Sequence, residues 1–266
     1  MKIGFIGSGK MAEAIIGGIL DSQILGPKDI LCSDISKERI LYLNKKYNIS
    51  TFTQNTQIIK NANLIFLCVK PQDINQLKDD LHNKLNSNQT LISILAGIQI
   101  KKLHSISNHD SIIRVMPNTP SQIKKGVSVW TSTKQTNKNH INETKMILGS
   151  IGNEYKVDDE KIIEMATALS ASGPAYLFYF VESLIQSGKE IGLTDELSYN
   201  LTIKMLKGSL ELLESSTDQV EQLRKNVTSP GGTTEAAINV FDQQNLKKTI
   251  ITAINAAHNR GLELGE

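Results

Sequence analysis

The chain has 266 residues, enough for one large domain or two domains of ordinary size. Its 29 basic and 27 acidic residues nearly cancel, so no long-range field favours nucleic acid or an anionic membrane as a partner. No apolar stretch approaches the roughly 18 residues that a membrane span needs. Met1 is followed directly by a predicted strand, so we expect no signal peptide and a cytoplasmic protein.

The first twenty residues carry the clearest motif. Residues 2–6 are a short apolar run of strand type, and residues 13–20 have the pattern of a helix. Between them, G-x-G-x-x-A at residues 7–12 is the dinucleotide-binding fingerprint in its proper context. Gly7 permits a tight turn, and Gly9, without a Cβ, lets a pyrophosphate approach the backbone. The N-terminus of the helix offers free N–H groups to the phosphates.

Strands and helices then alternate as far as residue 157. Residues 64–69 form an uninterrupted apolar run, typical of a parallel strand covered on both faces. The pattern predicts a doubly wound, mostly parallel sheet with its ligand crevice at the carboxyl ends of the strands. Asp34 follows the second strand, where this fold holds the adenosine ribose, although Lys37 and Arg39 come directly after it. Further strands are predicted at residues 29–33, 90–95, 111–115, 127–131 and 153–157, and helices at 56–61, 72–85 and 138–151.

The pattern changes near Asp158, because no strand-like run follows it. Helices are predicted from Pro174, from Thr194, from a capping box of Ser216 with Gln219, and over residues 246–264. We therefore predict a dinucleotide-binding domain of the Rossmann type at residues 1–158 and an all-helical domain at residues 159–266. So small a helical domain has more apolar faces than it can cover alone, which predicts a dimer.

Two stretches of small residues, 169–176 and 227–235, lie in the helical half. Each is predicted to be a loop that opens a helix and presents N–H groups and hydroxyls to an anion. A carboxylate-binding loop is one interpretation of the second stretch. The other is that Thr233 or Thr234 only caps the helix that follows.

No metal site is predicted. The five histidines lie outside the glycine-rich stretches and lack metal-ligand spacing. The two cysteines, Cys32 and Cys68, form no C-x-x-C pair and are expected to be packed thiols.

Several motifs together make the chain resemble the pyrroline-5-carboxylate reductase family from Ile3 to its last helix. They are the N-terminal fingerprint, Val69-Lys70-Pro71-Gln72, Ser93 with Ala96-Gly97, RVMPNTP at 114–120, SGPAY at 172–176 and SPGGTT at 229–234. The SPGGTT and MPNTP stretches are the specific ones.

The resemblance implies reduction of 1-pyrroline-5-carboxylate to L-proline, the last step of proline synthesis, with NADPH or NADH. It also implies a homodimer formed through the helical domain, and a decamer of five such dimers is a further assembly that the resemblance allows. The implied cofactor contacts are Ile6, Gly7, Ser8, Gly9, Lys10, Met11, Asp34, Ser36, Asn55, Cys68, Val69, Lys70, Pro71, Ala96, Gly97 and Asn226. The implied substrate contacts are Ser229, Gly231, Gly232, Thr233 and Thr234.

Two positions depart from the family pattern. Lys10 stands where Asn or Gln is frequent, and Asp34 stands where many members have a small or polar residue, which puts the usual preference for NADPH in question. For the reaction, the enzyme must hold C5 of the ring against C4 of the nicotinamide and exclude water. We assign Thr234 as the catalytic residue, whose hydroxyl would hydrogen-bond the ring nitrogen.

Two alternatives remain open. A dehydrogenase of the β-hydroxyacid type would need a lysine as acid or base, and Lys189 is a candidate by position only. A non-catalytic NAD(P)-sensing module would keep the fingerprint but would not need SPGGTT.

Overall fold

The computed structural model describes residues 1–265, and the chain divides into two compact units. One unit comprises Met1–Ser172 with the residues from Ala257 onward, and the other comprises Gly173–Ala256. The last helix is therefore shared between the two units. No helix in the described part of the chain is long and apolar enough to cross a membrane.

Within the described residues, the first unit is built on a sheet of eight strands in the order β3-β2-β1-β4-β5-β6-β7-β8. Every neighbouring pair is parallel except β6 with β7. The predicted doubly wound, mostly parallel sheet is thereby confirmed. The strands are β1 Ile3–Ile6, β2 Ile30–Ser33, β3 Ser50–Phe52, β4 Leu64–Leu67, β5 Thr90–Ser93, β6 Ile112–Met116, β7 Gly126–Ser132 and β8 Gly152–Lys156.

Helices cover both faces of this sheet. Every residue of β1, β2, β4 and β5 is buried, which explains why these strands are almost wholly apolar. Ile15, Ile16 and Ile19 of the first helix pack into one core, while Ile58 and Leu103 belong to the core on the other face. The helices of this unit are α1 Lys10–Asp21, α2 Lys37–Tyr47, α3 Asn55–Asn61, α4 Lys78–Leu81, α5 Ile100–Ser107, α6 Lys138–Gly149 and α7 Lys161–Ala166.

The remaining helices are amphipathic but leave their apolar residues uncovered. Among the described residues of α8 to α12, only Ser198 and Thr202 are buried. In α8 the side chains of Phe178 and Tyr179 are 59% and 74% exposed in the isolated chain. The five helices are α8 Gly173–Glu190, α9 Asp195–Ser215, α10 Val220–Asn226, α11 Thr233–Gln243 and α12 Leu246–Gly265.

A buried ion pair fixes α7 to the sheet. Arg114 of β6 is 1% exposed and donates two hydrogen bonds to the Glu164 carboxylate, at 2.8 and 2.9 Å. It also donates to Glu160 at 2.8 Å. Beyond β6, the Asn118 side chain accepts from the N–H of Val127 at 2.8 Å and donates to the carbonyl of Ser170 at 3.1 Å. The RVMPNTP motif thus holds the segment that leads to α8.

Three local predictions were wrong. The predicted helix at 72–85 is a 3₁₀ segment, Pro71–Leu77, followed by the single turn of α4, which ends at Leu81. The predicted loop at 169–176 is instead a π-helical turn, Thr167–Ala171, leading to α8. Ser216 does not cap α10: its hydroxyl accepts from Asp218, and the capping position falls on Gln219. The edge strand β3 was not predicted at all, because it has only three residues.

Candidate functional site

A cleft of about 320 Å³ opens at the carboxyl ends of β1, β2 and β4. These ends meet there because all three strands are parallel, and the order 2-1-4 sends the connections from β1 and β4 to opposite faces of the sheet. Its walls include nine of the residues predicted to contact the cofactor: Ile6, Gly7, Ser8, Gly9, Asp34, Asn55, Cys68, Val69 and Lys70.

Residues 7–11, here called the glycine loop, form one wall of this cleft. Gly7 has φ of +89°, and a Cβ there would lie 2.7 Å from backbone atoms of Cys68 and Val69, so no other residue fits. A Cβ on Gly9, by contrast, would meet no atom within 4 Å. The backbone at Gly9 is therefore open to a ligand that needs close approach, as a pyrophosphate does. The residues present fit a dinucleotide.

Asp34, at the end of β2, is held against the glycine loop. Its Oδ2 accepts hydrogen bonds from the N–H of Ser8 at 2.8 Å and from the Ser8 hydroxyl at 2.7 Å. Its Oδ1 accepts from the N–H of Ser36 at 2.9 Å, and Ser36 in turn caps α2. These bonds orient an acceptor-only carboxylate on the cleft wall, which suits ribose hydroxyls and repels a phosphate.

Asn55 also lines the cleft, and both the oxygen and the nitrogen of its side-chain amide are hydrogen-bonded. Its Oδ1 accepts from the hydroxyl of Ser33 at 2.8 Å, and its Nδ2 donates to Asp80 at 2.7 Å. A side chain fixed in this way presents a constant wall to a ligand. Ser33 is buried at the end of β2, so the sheet itself sets the position of Asn55.

Several predicted contacts lie outside the cleft wall. Lys10 lines a different cavity, of about 520 Å³, on the side of α1 that carries Glu13. Met11 packs against the core, and Pro71 opens the 3₁₀ segment. Ala96 and Gly97 follow β5, where Gly97 has φ of +75° and a Cβ on it would lie 2.9 Å from the Cβ of Leu264.

Three lining residues were missed by sequence reasoning: Asp73, Gln76 and Leu77. A further lining residue, Ile35, lies between Asp34 and Ser36, which the resemblance assigns to the cofactor site. Ile35 is 98% exposed, which is unusual for an isoleucine beside a binding cleft and offers an apolar surface to a flat ring. The other three belong to the 3₁₀ segment that was expected to be an ordinary helix. The sequence signal for these three residues was Pro71, which directly follows the predicted contact Lys70 and opens the segment that contains them.

The SPGGTT stretch lies in the helical unit and forms the entry to α11. Gly232 occupies the capping position, no side chain caps the helix, and Thr233 and Thr234 are its first two residues. The hypothesis that either threonine is the N-cap is therefore wrong. Gly231 has φ of +72°, and its N–H donates to the carboxylate of Glu235 at 2.8 Å. An anion at this loop would meet the N–H groups of the first turn of α11.

Asn226, the other predicted contact in this unit, ends α10. Its Oδ1 accepts from Gln222 at 2.7 Å, and its Nδ2 lies 3.5 Å from Asp218. The contact to Asp218 is long, so the amide has a weakly held donor that a ligand can use.

The other chemistries weighed from the sequence find little support in the geometry. Burial raises the pKa of the Cys32 thiol to about 12 and that of Cys68 well above its ordinary value, so both remain protonated. Lys189 makes an ion pair with Asp195 at 3.0 Å on the surface of the helical unit. In the described residues no group of three or more His, Cys, Asp or Glu side chains could hold a metal ion.

Two family models match separate parts of the chain. Residues 160–264 match the family model described as pyrroline-5-carboxylate reductase dimerisation. Residues 2–97 match the model described as NADP oxidoreductase, coenzyme F420-dependent.

Relatives match along the whole chain. A pyrroline-5-carboxylate reductase of Arabidopsis thaliana is 33% identical and is aligned with all of this chain and 96% of its own length. Pyrroline-5-carboxylate reductase 2 of Bacillus subtilis is 34% identical, with 100% and 95% covered. Among solved structures, the Plasmodium falciparum pyrroline carboxylate reductase with NADP bound superposes with a TM-score of 0.91 at 32% identity, covering 100% of this chain and 98% of that one.

Proposed function

Because this chain belongs to the pyrroline-5-carboxylate reductase family, we propose that it reduces 1-pyrroline-5-carboxylate to L-proline at the expense of NADPH or NADH. The observation that carries the proposal is the cleft at the ends of β1, β2 and β4, in which the glycine loop and the Asp34 carboxylate lie side by side. The match of residues 160–264 to the dimerisation model of the same family supports the proposal as well.

The cofactor supplies hydride. The chain's own task on that side is to hold the dinucleotide through the glycine loop, Asp34 and the residues after β4. We propose all sixteen cofactor contacts predicted from the sequence as its binding set, Asn226 among them. Asp34 supports good use of NADH, because it accepts hydrogen bonds from ribose hydroxyls and repels a 2′-phosphate.

The substrate side of the proposal rests on the entry to α11. The N–H groups of the first turn of α11 would bind the substrate carboxylate, and Ser229, Gly231, Gly232, Thr233 and Thr234 would form the site around it. Hydride adds to C5 of the protonated imine, and the electron pair of the C=N bond moves to nitrogen, which loses its charge. The Thr234 hydroxyl would hydrogen-bond that nitrogen and keep the ring in place.

We further propose that residues 1–158 bind the dinucleotide, and that residues 159–266 bind substrate and form the dimer. The uncovered apolar residues of α8 support association of the chain with a second copy. A decamer of five dimers and a cytoplasmic location belong to this proposal as well.

The decisive experiment mixes the purified protein with NADH or NADPH and 1-pyrroline-5-carboxylate and follows the loss of absorbance of the reduced nicotinamide. As controls, 2-hydroxyacids and 3-hydroxyacids are tested with NAD⁺ or NADP⁺ for formation of the reduced nicotinamide. We expect stoichiometric formation of proline from the imine and no turnover of the hydroxyacids. Turnover of a hydroxyacid alone would favour the dehydrogenase alternative, and dinucleotide binding without any turnover would favour a sensor.

A further inference from the structure

A cluster of charged and aromatic side chains lies behind the glycine loop, and the proposed function gives it no role. Its centre is Glu13, in the first turn of α1, whose side chain is only 11% exposed. The carboxylate accepts hydrogen bonds from Arg39 at 2.5 Å, from Lys46 at 2.8 Å and from Tyr42 at 3.0 Å. We call these four residues the Glu13 cluster.

Arg39 joins this cluster to the glycine loop. Its Nε donates to the carbonyl of Ser8 at 2.5 Å, while its Nη2 donates to Glu13 and lies 3.4 Å from the carbonyl of Gly9. The guanidinium carbon is 5.0 Å from the centre of the Tyr42 ring. The guanidinium group is therefore directed towards the loop backbone and Glu13.

Arg39 also lies beside the ribose end of the cleft. Asp34 and Arg39 hold the same residue, Ser8, one through its N–H and hydroxyl and the other through its carbonyl. In dinucleotide-binding folds, an arginine near the end of this strand is the group that accommodates a 2′-phosphate. Here the arginine is present, but its positive charge is already paired.

We propose that Glu13 is a specificity-determining residue for the dinucleotide. By binding Arg39 it withholds the guanidinium from a 2′-phosphate and so favours NADH relative to NADPH. Glu13 would not touch the cofactor, so it is a positioning residue that acts through Arg39. The inference rests on the proposed function only for the binding of a nicotinamide dinucleotide.

Lysines also lie near the pair of Arg39 and Glu13. Lys37 is exposed on the first turn of α2, and Lys10 and Lys46 lie with Glu13 along the other cavity. Hydrogen bonds to Glu13 outweigh the effect of its burial and lower its pKa to about 2. The carboxylate is therefore ionised, and the pair with Arg39 intact, at every pH used for assays.

The test measures dissociation constants of NADH and NADPH for the wild-type protein and for Glu13→Gln, Lys46→Met, Arg39→Met and the double variant Glu13→Gln/Arg39→Met. We expect Glu13→Gln to tighten NADPH relative to NADH by roughly fivefold to tenfold, the effect of one additional charge-assisted contact. Lys46→Met is the matched control, because Lys46 binds the same carboxylate without touching the loop. It should leave the ratio unchanged, and the double variant should return the ratio to that of Arg39→Met.

An unchanged ratio in folded Glu13→Gln, an equal shift in Lys46→Met, or a shift that survives in the double variant would each overturn the inference. If Glu13→Gln does not fold, Arg39→Met alone decides the matter. Its ratio of NADPH to NADH affinity should stay within about twofold of wild type, because the guanidinium is withheld from the 2′-phosphate. A fall of about tenfold in that ratio would show that Arg39 already binds the 2′-phosphate and would overturn the inference.

Turnover of 1-pyrroline-5-carboxylate is measured on the same preparations. Dinucleotide binding without turnover would refute the proposed function alone, and turnover with an unmoved ratio would refute the Glu13 inference alone. Failure to bind either dinucleotide would refute both.

Discussion

At the scale of single residues, Thr234 is the side chain on which the proposed chemistry depends most. It is the second residue of α11, and the helix is capped by the backbone at Gly232 rather than by a threonine side chain. Loss of the Thr234 hydroxyl should therefore cost little stability, which separates its effect on catalysis from an effect on folding.

Thr234→Val keeps the shape of the side chain and removes the hydroxyl. We expect kcat to fall by roughly 10²-fold, by analogy with the loss of one oxyanion-hole donor, with cofactor affinity and Tm nearly unchanged. Steady-state kinetics with calorimetry measure this, and Thr234→Ser should restore most of the activity. Wild-type kcat in Thr234→Val would remove the residue from the reaction.

Asp34 is the second residue whose role can be isolated. Replacing it by serine removes the charge at the ribose end while leaving a hydroxyl near Ser8. We expect kcat/KM with NADPH to rise relative to that with NADH, because the repulsion of a 2′-phosphate is lost. A wild-type preference for NADPH that Asp34→Ser leaves unchanged would contradict this role.

Glu13 also makes stability depend on pH. Burial alone would raise its pKa, but hydrogen bonds from Lys46, Arg39 and Tyr42 lower it from 4.5 to about 2. Because the folded state has the lower pKa, the stabilisation is complete above pH 4.5 and is lost as the pH falls towards 2. The shift corresponds to about 3 kcal/mol.

Urea denaturation at several acidic pH values checks this. Glu13→Gln should lower the free energy of unfolding at neutral pH and flatten its decline in acid. The matched control is Glu221→Gln, which removes a fully exposed carboxylate paired with Lys225 and should change the slope very little. Equal slopes for wild type and Glu13→Gln would show that the Glu13 cluster does not stabilise the fold.

At the scale of elements, the glycine loop separates a structural glycine from a functional one. Gly7 combines a positive φ with contact to the backbone after β4, whereas Gly9 has open space where a Cβ would lie. The same motif therefore predicts opposite phenotypes for its two glycines.

Gly7→Ala should destabilise the protein by at least about 1–3 kcal/mol, because the strained φ and the contact to Cys68 cannot both be relieved. Gly9→Ala should keep its Tm but bind NADH and NADPH much more weakly, because the methyl group occupies the space for the pyrophosphate. Thermal melts and cofactor titrations distinguish the two. Normal cofactor affinity in Gly9→Ala would show that the phosphates do not approach the loop there.

At the scale of the whole molecule, we expect the helical unit to mediate association. Its helices leave residues such as Phe178 and Tyr179 uncovered, and the family model matched by residues 160–264 is a dimerisation model. The first unit, by contrast, has a continuous core on both faces of its sheet. We therefore expect association to depend on the helical half of the chain.

We expect static light scattering at micromolar concentration to give the mass of a dimer or of a multiple of dimers. Phe178→Glu, which places a charge on the uncovered face of α8, should reduce the mass. Tyr155→Glu is a comparable substitution at an exposed position of β8 in the first unit and should not. A monomeric wild type would contradict an association driven by these apolar residues.

The sequence alone determined the alternation of strands and helices in the first half, the change to helix near residue 158 and the glycine loop. These features are local, since apolar runs, turn residues and a fixed spacing of glycines each act over a few neighbours. The predicted ends of the strands differ from those in the structure by one or two residues. The strand β3 and the 3₁₀ segment after Lys70 were not predicted, because short elements have too few residues to show a hydrophobic period.

Only the tertiary structure decided how charges are paired. Asp34 lies 26 residues from Ser8 along the chain, and Arg39 lies 26 residues from Glu13. No spacing rule in the sequence predicts that the Arg39 side chain binds Glu13 rather than a ligand. The sequence left Lys37 and Arg39 as an ambiguity in cofactor preference. The fold pairs Arg39 with Glu13, because residues of α1 and α2 share one core on the same face of the sheet and a buried carboxylate lies within hydrogen-bonding distance of the guanidinium.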